Sequence, residues 1–204
     1  MISFLNDFFN GLKDFSDSYW FYLIIFVVAV LDSVIPIVPS ETLVIIGGVS
    51  AGSGPLSLAL VIASAFGGAF IGDHVSYYLG RQASDFITRR YERTEKGKQR
   101  LASVIRQIHE RGGLLLITAR FIPGGRTILT LSCGITQQER RWFTGWIIAA
   151  ASIWATYASL LGFIGGKTFE NNHTFAFIFA FGCAISVTAL IELVRFIVKK
   201  RKSQ

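Results

Sequence analysis

The sequence predicts an all-α membrane protein with four transmembrane helices and two opposed re-entrant hairpins forming an inverted repeat. An N-terminal amphipathic helix and a cytoplasmic amphipathic helical segment complete it. Three observations predict this class. Of 204 residues, 51% are hydrophobic and only 16% are charged, against about 25% charged in soluble domains. Four apolar segments are long enough to cross a bilayer. Two further apolar stretches are interrupted at mid-length by proline or glycine beside a charge. Disorder, fibrous repeats and an ordinary soluble enzyme are poor fits to this composition.

The first 17 residues do not read as a cleavable leader, because the first basic residue, Lys13, follows Phe4, Leu5, Phe8, Phe9 and Leu12. Those apolar residues recur at spacings of three and four, with Asn6, Asp7, Asn10 and Asp14 opposite. This is an amphipathic helix, lying on the membrane surface or packed as a short cap. Residues 18–198 then read as one membrane domain, and 199–204 as a basic tail.

The expected crossings are 19–36, 56–79, 142–166 and 174–198. Asp32 interrupts the first, Asp73 stands near the end of the second, and Glu192 and Arg195 stand near the end of the fourth. Trp20, Trp142 and Trp146 fall toward segment ends, as an aromatic belt at the membrane interface requires. The broken stretches are 33–50, with Pro36, Pro39 and Glu41, and 113–135, with Arg120, Pro123, Gly124, Gly125 and Arg126. Irregular backbone at membrane depth is tolerated only inside protein or along a wet cavity. Re-entrant hairpins broken at Pro39 and Pro123 satisfy that condition.

Charge placement sets the orientation. Nine Lys or Arg but four acids lie in the basic segment 81–111, and five more basic residues lie between Arg195 and Lys202. The positive-inside bias puts both segments, and both termini, in the cytoplasm. The first hairpin then enters from outside and the second from inside. The formal net charge of +7 is explained by loops facing anionic lipid. Residues 98–110 show only an amphipathic pattern, so nucleic acid is not an expected partner. Cys133 and Cys183 lie in apolar runs and read as packing residues. His74, His109 and His173 have no metal-ligand spacing, and neither a metal nor another cofactor is expected. Gly52, Ser53 and Gly54 read as a loop and not as a nucleophile site. The spacings Gly68–Gly72 and Gly162–Gly166 permit close helix packing within one chain or between copies in a homo-oligomer.

The two hairpins echo each other. Val38-Pro39-Ser40-Glu41-Thr42-Leu43 aligns with Ile122-Pro123-Gly124-Gly125-Arg126-Thr127-Ile128 when one glycine is inserted. One hairpin carries an acid and the other the bases. Opposed repeats of this kind place a substrate site near the midplane, where broken helices meet.

Glu41, Asp73, Arg120 and Arg126 carry the chemistry. Each charge at membrane depth costs about 2.5–3.5 kcal/mol on insertion scales, so the four must pair, meet water or bind something. Two readings stand at this point. Buried salt bridges could hold the hairpins together, although ion pairs stabilise buried sites poorly. Alternatively, the arginines flank a Pro-Gly-Gly break where a restarting helix offers backbone N–H groups, which suits an anion and most simply a phosphate. Gly124 and Gly125 would then join Arg120 and Arg126 in binding it. Glu41 and Asp73, desolvated there, become candidate proton carriers. Asp32 lines the first hairpin or sits at the membrane interface.

Three pieces of sequence resemble the DedA family of bacterial membrane proteins, also called SNARE-associated or VTT-domain proteins. They are Pro39-Ser40-Glu41 leading to Gly47-Gly48, Gly72-Asp73 followed by Tyr77 and Gly80-Arg81, and Arg120-Phe121-Ile122-Pro123-Gly124-Gly125-Arg126 leading to Gly134. The resemblance spans residues 36–166. It implies a lipid transporter of the bacterial cytoplasmic membrane, recycling undecaprenyl phosphate or scrambling phospholipid, with proton dependence in some members. It implies that Arg120 and Arg126 are the family's paired arginines, and that Glu41 and Asp73 match its embedded acids. Some relatives carry another acid just after the first hairpin. Here residues 50–54 hold none, which leaves Asp73 or Asp32 as the substitute. The expected function is therefore proton-coupled translocation of a polyprenyl phosphate. A phospholipid scramblase and a cation-coupled exporter of a small solute are the alternatives. An intramembrane phosphatase fits less well, since neither hairpin holds a histidine nucleophile.

Overall fold

The computed structural model describes residues 18–35, 40–92, 112–121 and 124–168, with isolated positions between 94 and 108 and Gly182. The expected N-terminal helix, the fourth crossing, the tail, most of the basic segment beyond residue 92, and both hairpin prolines, Pro39 and Pro123, lie outside the described residues. Among the described residues there is no β-strand. The helices are α1 (Trp20–Val34), α2 (Ser40–Ser53), α3 (Leu58–Gln82), α4 (Ser84–Glu92), α5 (Leu114–Thr118) with a 3-10 turn (Ala119–Phe121), α6 (Gly125–Ile135) and α7 (Arg140–Thr168).

Two of the expected crossings are long apolar helices. With 25 residues in α3 and 29 in α7, a rise of about 1.5 Å per residue takes both past the ~30 Å hydrocarbon core. The first expected crossing is shorter, a helix of 15 residues. It stops at Val34 because Pro36 disfavours helical backbone at the residue before it. On α1, Phe21, Ile25, Ala29 and Ser33 are buried while Leu23, Val27 and Leu31 are exposed. Spacings of four put each set on its own face of the helix, and the exposed apolar face suits contact with lipid.

The first broken stretch contains one uninterrupted helix, α2, running through Gly47 and Gly48. Glu41 stands in its first turn, where the helix dipole favours an acid. The expected loop at residues 52–54 is corrected in part. Gly52 and Ser53 are still helical, and Ser53 Oγ donates to Val49 O at 3.1 Å. The helix ends at Ser53, and the next residue, Gly54, has a φ of 111° that is open to glycine and strained for other residues. The second broken stretch does break: the 3-10 turn ends at Phe121, and α6 starts after Gly124 with φ 70°.

The chain divides into two units, the first comprising Met1–Phe26, Pro39–Ala65 and Ala155–Gln204, and the second Val27–Val38 and Phe66–Trp154. In the first, α2 and α7 touch backbone to backbone. A side chain at Gly48 would strike Ser159 O and come within 3.0 Å of Gly162 Cα, and one at Gly162 would strike Ile45 O. One at Gly166 would strike Val49 O. The Gly162–Gly166 spacing thus serves packing inside the chain. Tyr22 Oη accepts the Ser57 N–H at 2.7 Å, which anchors the approach to α3.

In the second unit, α6 lies on α3 in a related way. A side chain at Gly134 would strike Tyr77 O, and one at Gly80 would strike Leu131 O. Gly80 stands 22 residues after the first residue of α3, and Gly162 stands 22 residues after the first residue of α7. Each of the two short helices, α2 and α6, thus meets a glycine near the end of a long helix. Tyr77, Leu116, Leu129, Cys133, Phe143 and Ile147 form the buried core here, flanked by Phe70, Trp142 and Trp146. Tyr77 Oη donates to Gln138 O at 2.6 Å and accepts from Arg81 Nη1 at 2.8 Å. Ser84 Oγ donates to Ile135 O at 2.6 Å, tying the chain after α3 to the end of α6.

Candidate functional site

The sequence singled out Asp73, Arg120 and Arg126, and the second unit brings them together. Asp73 is fixed by the packing of its own helix. The neighbouring Gly72 has no side chain, so α1 approaches until Ser33 Oγ would lie 2.6 Å from a Cβ there. One turn on, Ser76 Oγ donates to Ser33 O at 2.7 Å. These contacts clamp the end of α1 to α3 and set Asp32 and Asp73 at the same junction.

Arg120 comes from the 3-10 turn before the break, and Arg126 from the first turn of α6 after it. Arg120 Nη2 donates to Asp73 Oδ2 in a short charge-assisted hydrogen bond. Arg126 Nη2 donates to Asp32 Oδ2 at 3.0 Å, while its Nε lies 3.6 Å from Asp73 Oδ1. Asp73 is thus shared by both guanidinium groups. Side-chain exposure is 0% for Asp73, 2% for Arg120, 11% for Arg126 and 22% for Asp32. Trp154 of α7 lies under both cations, its ring centroid 5.8 Å from Arg120 Cζ and 6.0 Å from Arg126 Cζ, at the limit of a cation–π contact.

Salt bridges therefore exist here, as one of the two sequence readings held, but they do not satisfy the cluster. Arg120 Nε and Nη1 are buried without a hydrogen-bond partner, as is Asp73 Oδ1. Buried donors without partners are uncommon because each forfeits its hydration. The helix N-terminus beside them has no side-chain cap, since Gly124 stands at the cap position. Gly124 and Gly125 keep the backbone bare, and α6 is held from inside by Thr130 Oγ1, which donates to Arg126 O and Thr127 O at 3.1 Å. Guanidinium donors and the start of a helix are the kinds of group that attract anions.

Glu41 belongs to the first unit, half-buried in the first turn of α2. Asp32, left open by sequence, is a full member of the cluster. Trp154 was missed altogether. It lies well inside a long helix and away from the ends where an aromatic belt sits, and that position was the available signal. His74, next to Asp73, turns away from the cluster. Its Nδ1 meets Phe70 O at 2.8 Å and its Nε2 meets Thr144 Oγ1 at 3.0 Å. Among the described residues no three His, Cys, Asp or Glu converge on a possible metal position.

The profile of the VTT domain matches residues 38–164, and so includes every member of the cluster except Asp32. The chain belongs to the VTT-domain (DedA) family. Membership makes it a membrane protein, and the relatives are named accordingly. It is 25% identical to an uncharacterized membrane protein of Synechocystis over 93% of this chain and 89% of that protein. It is 33% identical to inner membrane protein YohD of Escherichia coli over 62% of this chain and 65% of that protein. It is 26% identical to undecaprenyl phosphate transporter A of Staphylococcus aureus over 89% of this chain and 93% of that protein. No solved structure matches this VTT-domain chain.

Proposed function

We propose that this VTT-domain protein translocates lipids with a phosphate headgroup, foremost undecaprenyl or another polyprenyl phosphate, across the bacterial cytoplasmic membrane. The observation that carries the reading is the pair Arg120 and Arg126 around an uncapped helix start, with Arg120 Nε and Nη1 buried and unpartnered. Those donors fit the oxygens of a phosphate. The lipid tail stays in the bilayer while the headgroup enters the cluster. A relative named as an undecaprenyl phosphate transporter, aligned over most of both chains, supports the same choice.

In this reading residues 18–198 act as one membrane domain with both termini in the cytoplasm, and the hairpins over 33–50 and 113–135 enter from opposite faces. Glu41 exchanges protons, so that headgroup passage follows the proton gradient; Asp73, the other acid the sequence offered for this role, keeps its charge between the two guanidinium groups. The protein carries out transport and no covalent chemistry.

Headgroup accessibility of undecaprenyl phosphate in proteoliposomes tests this. Wild type should move the lipid faster with a pH gradient than without, Arg126→Ala should abolish movement, and Glu41→Gln should remove the gradient dependence. Equal movement by wild type and Arg126→Ala overturns the reading. Movement of ordinary phospholipid alone redirects it to a scramblase.

A further inference from the structure

We infer that Asp32 occupies the place of the ligand: its carboxylate is the group that an incoming phosphate displaces from Arg126, while Asp73 stays. The inference rests on the phosphate reading above and concerns how the site opens. Two arginines and two aspartates cancel in formal charge. A phosphate entering beside both carboxylates would bring one or two negative charges with no further cation among the described members of the cluster to match, in a buried site where an unpaired charge is costly. One carboxylate must therefore leave the guanidinium groups.

The geometry assigns which. Asp73 is fully buried and shared by both arginines, with Oδ2 on Arg120 and Oδ1 3.6 Å from Arg126 Nε. Releasing it would strand Arg120, whereas Arg126 would still hold Asp32. Asp32 keeps 22% of its side chain exposed, so it is the less enclosed of the two carboxylates and has room to turn. Its helix need not move. Ser33 is clamped to α3 by Ser76 and packed against Gly72, so the exchange is a rotation of the Asp32 side chain about a fixed backbone. Once it has turned, Arg126 Nη2 has given up its carboxylate partner, and a phosphate can bridge the two guanidinium groups as Asp73 now does.

The test uses the full-length protein in detergent and a short-chain polyprenyl monophosphate as probe. Two measurements are made. In wild type, carbodiimide labelling of carboxyl groups read by mass spectrometry should rise at least threefold at Asp32 on adding the probe, with Asp73 protected throughout. In Asp32→Asn, the probe should bind about tenfold more tightly than to wild type, whereas Glu139→Gln, an exposed acid outside the cluster, should change affinity less than twofold. Asp32 labelling that falls or stays constant while the probe binds overturns the displacement, whether or not the variant folds. Weaker binding by a folded Asp32→Asn overturns it as well. No probe binding to wild type instead removes the phosphate reading itself, which separates the two failures.

Discussion

Arg126 and Asp32 stand 94 residues apart in sequence and 3.0 Å apart in space. The pair joins the first turn of α6, just after the break at Gly124, to the end of α1. It turns a motif that reads as local, two arginines around Pro-Gly-Gly, into a cluster assembled from four separate stretches of chain. The predictions below follow from that assembly and from the glycine contacts that support it.

Asp73→Asn should destabilise the protein by about 3–5 kcal/mol, the range for removing one partner of a buried pair. Arg120, with a side chain 2% exposed, loses the carboxylate that neutralises it. The double variant Asp73→Asn, Arg120→Met should recover part of the loss, since no charge is then stranded. Chemical unfolding in detergent across the four-member cycle measures both numbers.

Trp154→Ala should weaken the cluster through both cations at once. Each cation–π contact contributes about 0.5–2 kcal/mol according to desolvation, and the large side chain leaves a cavity. Transport should fall, and Trp154→Phe should retain more of it than Trp154→Ala. Equal transport by both variants would show that the ring face does not matter.

Gly162→Ala should be destabilising by about 1–3 kcal/mol, as overpacking usually is, because the added methyl meets Ile45 O and lies 2.9 Å from Gly48 Cα. Neither neighbour is a flexible side chain. Gly145→Ala on the same helix is the control: nothing lies within 4 Å of its Cβ position. That change should be neutral or stabilising by up to about 1 kcal/mol from helix propensity. Thermal unfolding of the two variants separates packing from propensity.

Tyr77→Phe should cost about 1–3 kcal/mol by leaving Gln138 O and Arg81 without their partner. Stability should fall with little change in lipid movement, because these contacts lie within the α3–α6 packing and outside the arginine cluster. A transport defect larger than the stability loss explains would place Tyr77 nearer the function than the geometry does.

The sequence by itself determined what depends on neighbours along the chain. Hydropathy located α3 and α7 to within about three residues at each end, because a bilayer-length apolar run leaves few alternatives. The break at Gly124 was legible because proline and glycine act on their own backbone. Arg120, Arg126 and Asp73 were legible because charge in an apolar run is costly wherever it ends up. Only the tertiary structure decided which charges meet. Asp32 and Trp154 join the arginines through contacts between distant stretches of chain, and no local pattern encodes a partner 94 positions away. The junction is set by Gly72 against Ser33 and by Ser76 on Ser33 O. These are close backbone contacts whose consequences appear only when α1 and α3 are already packed.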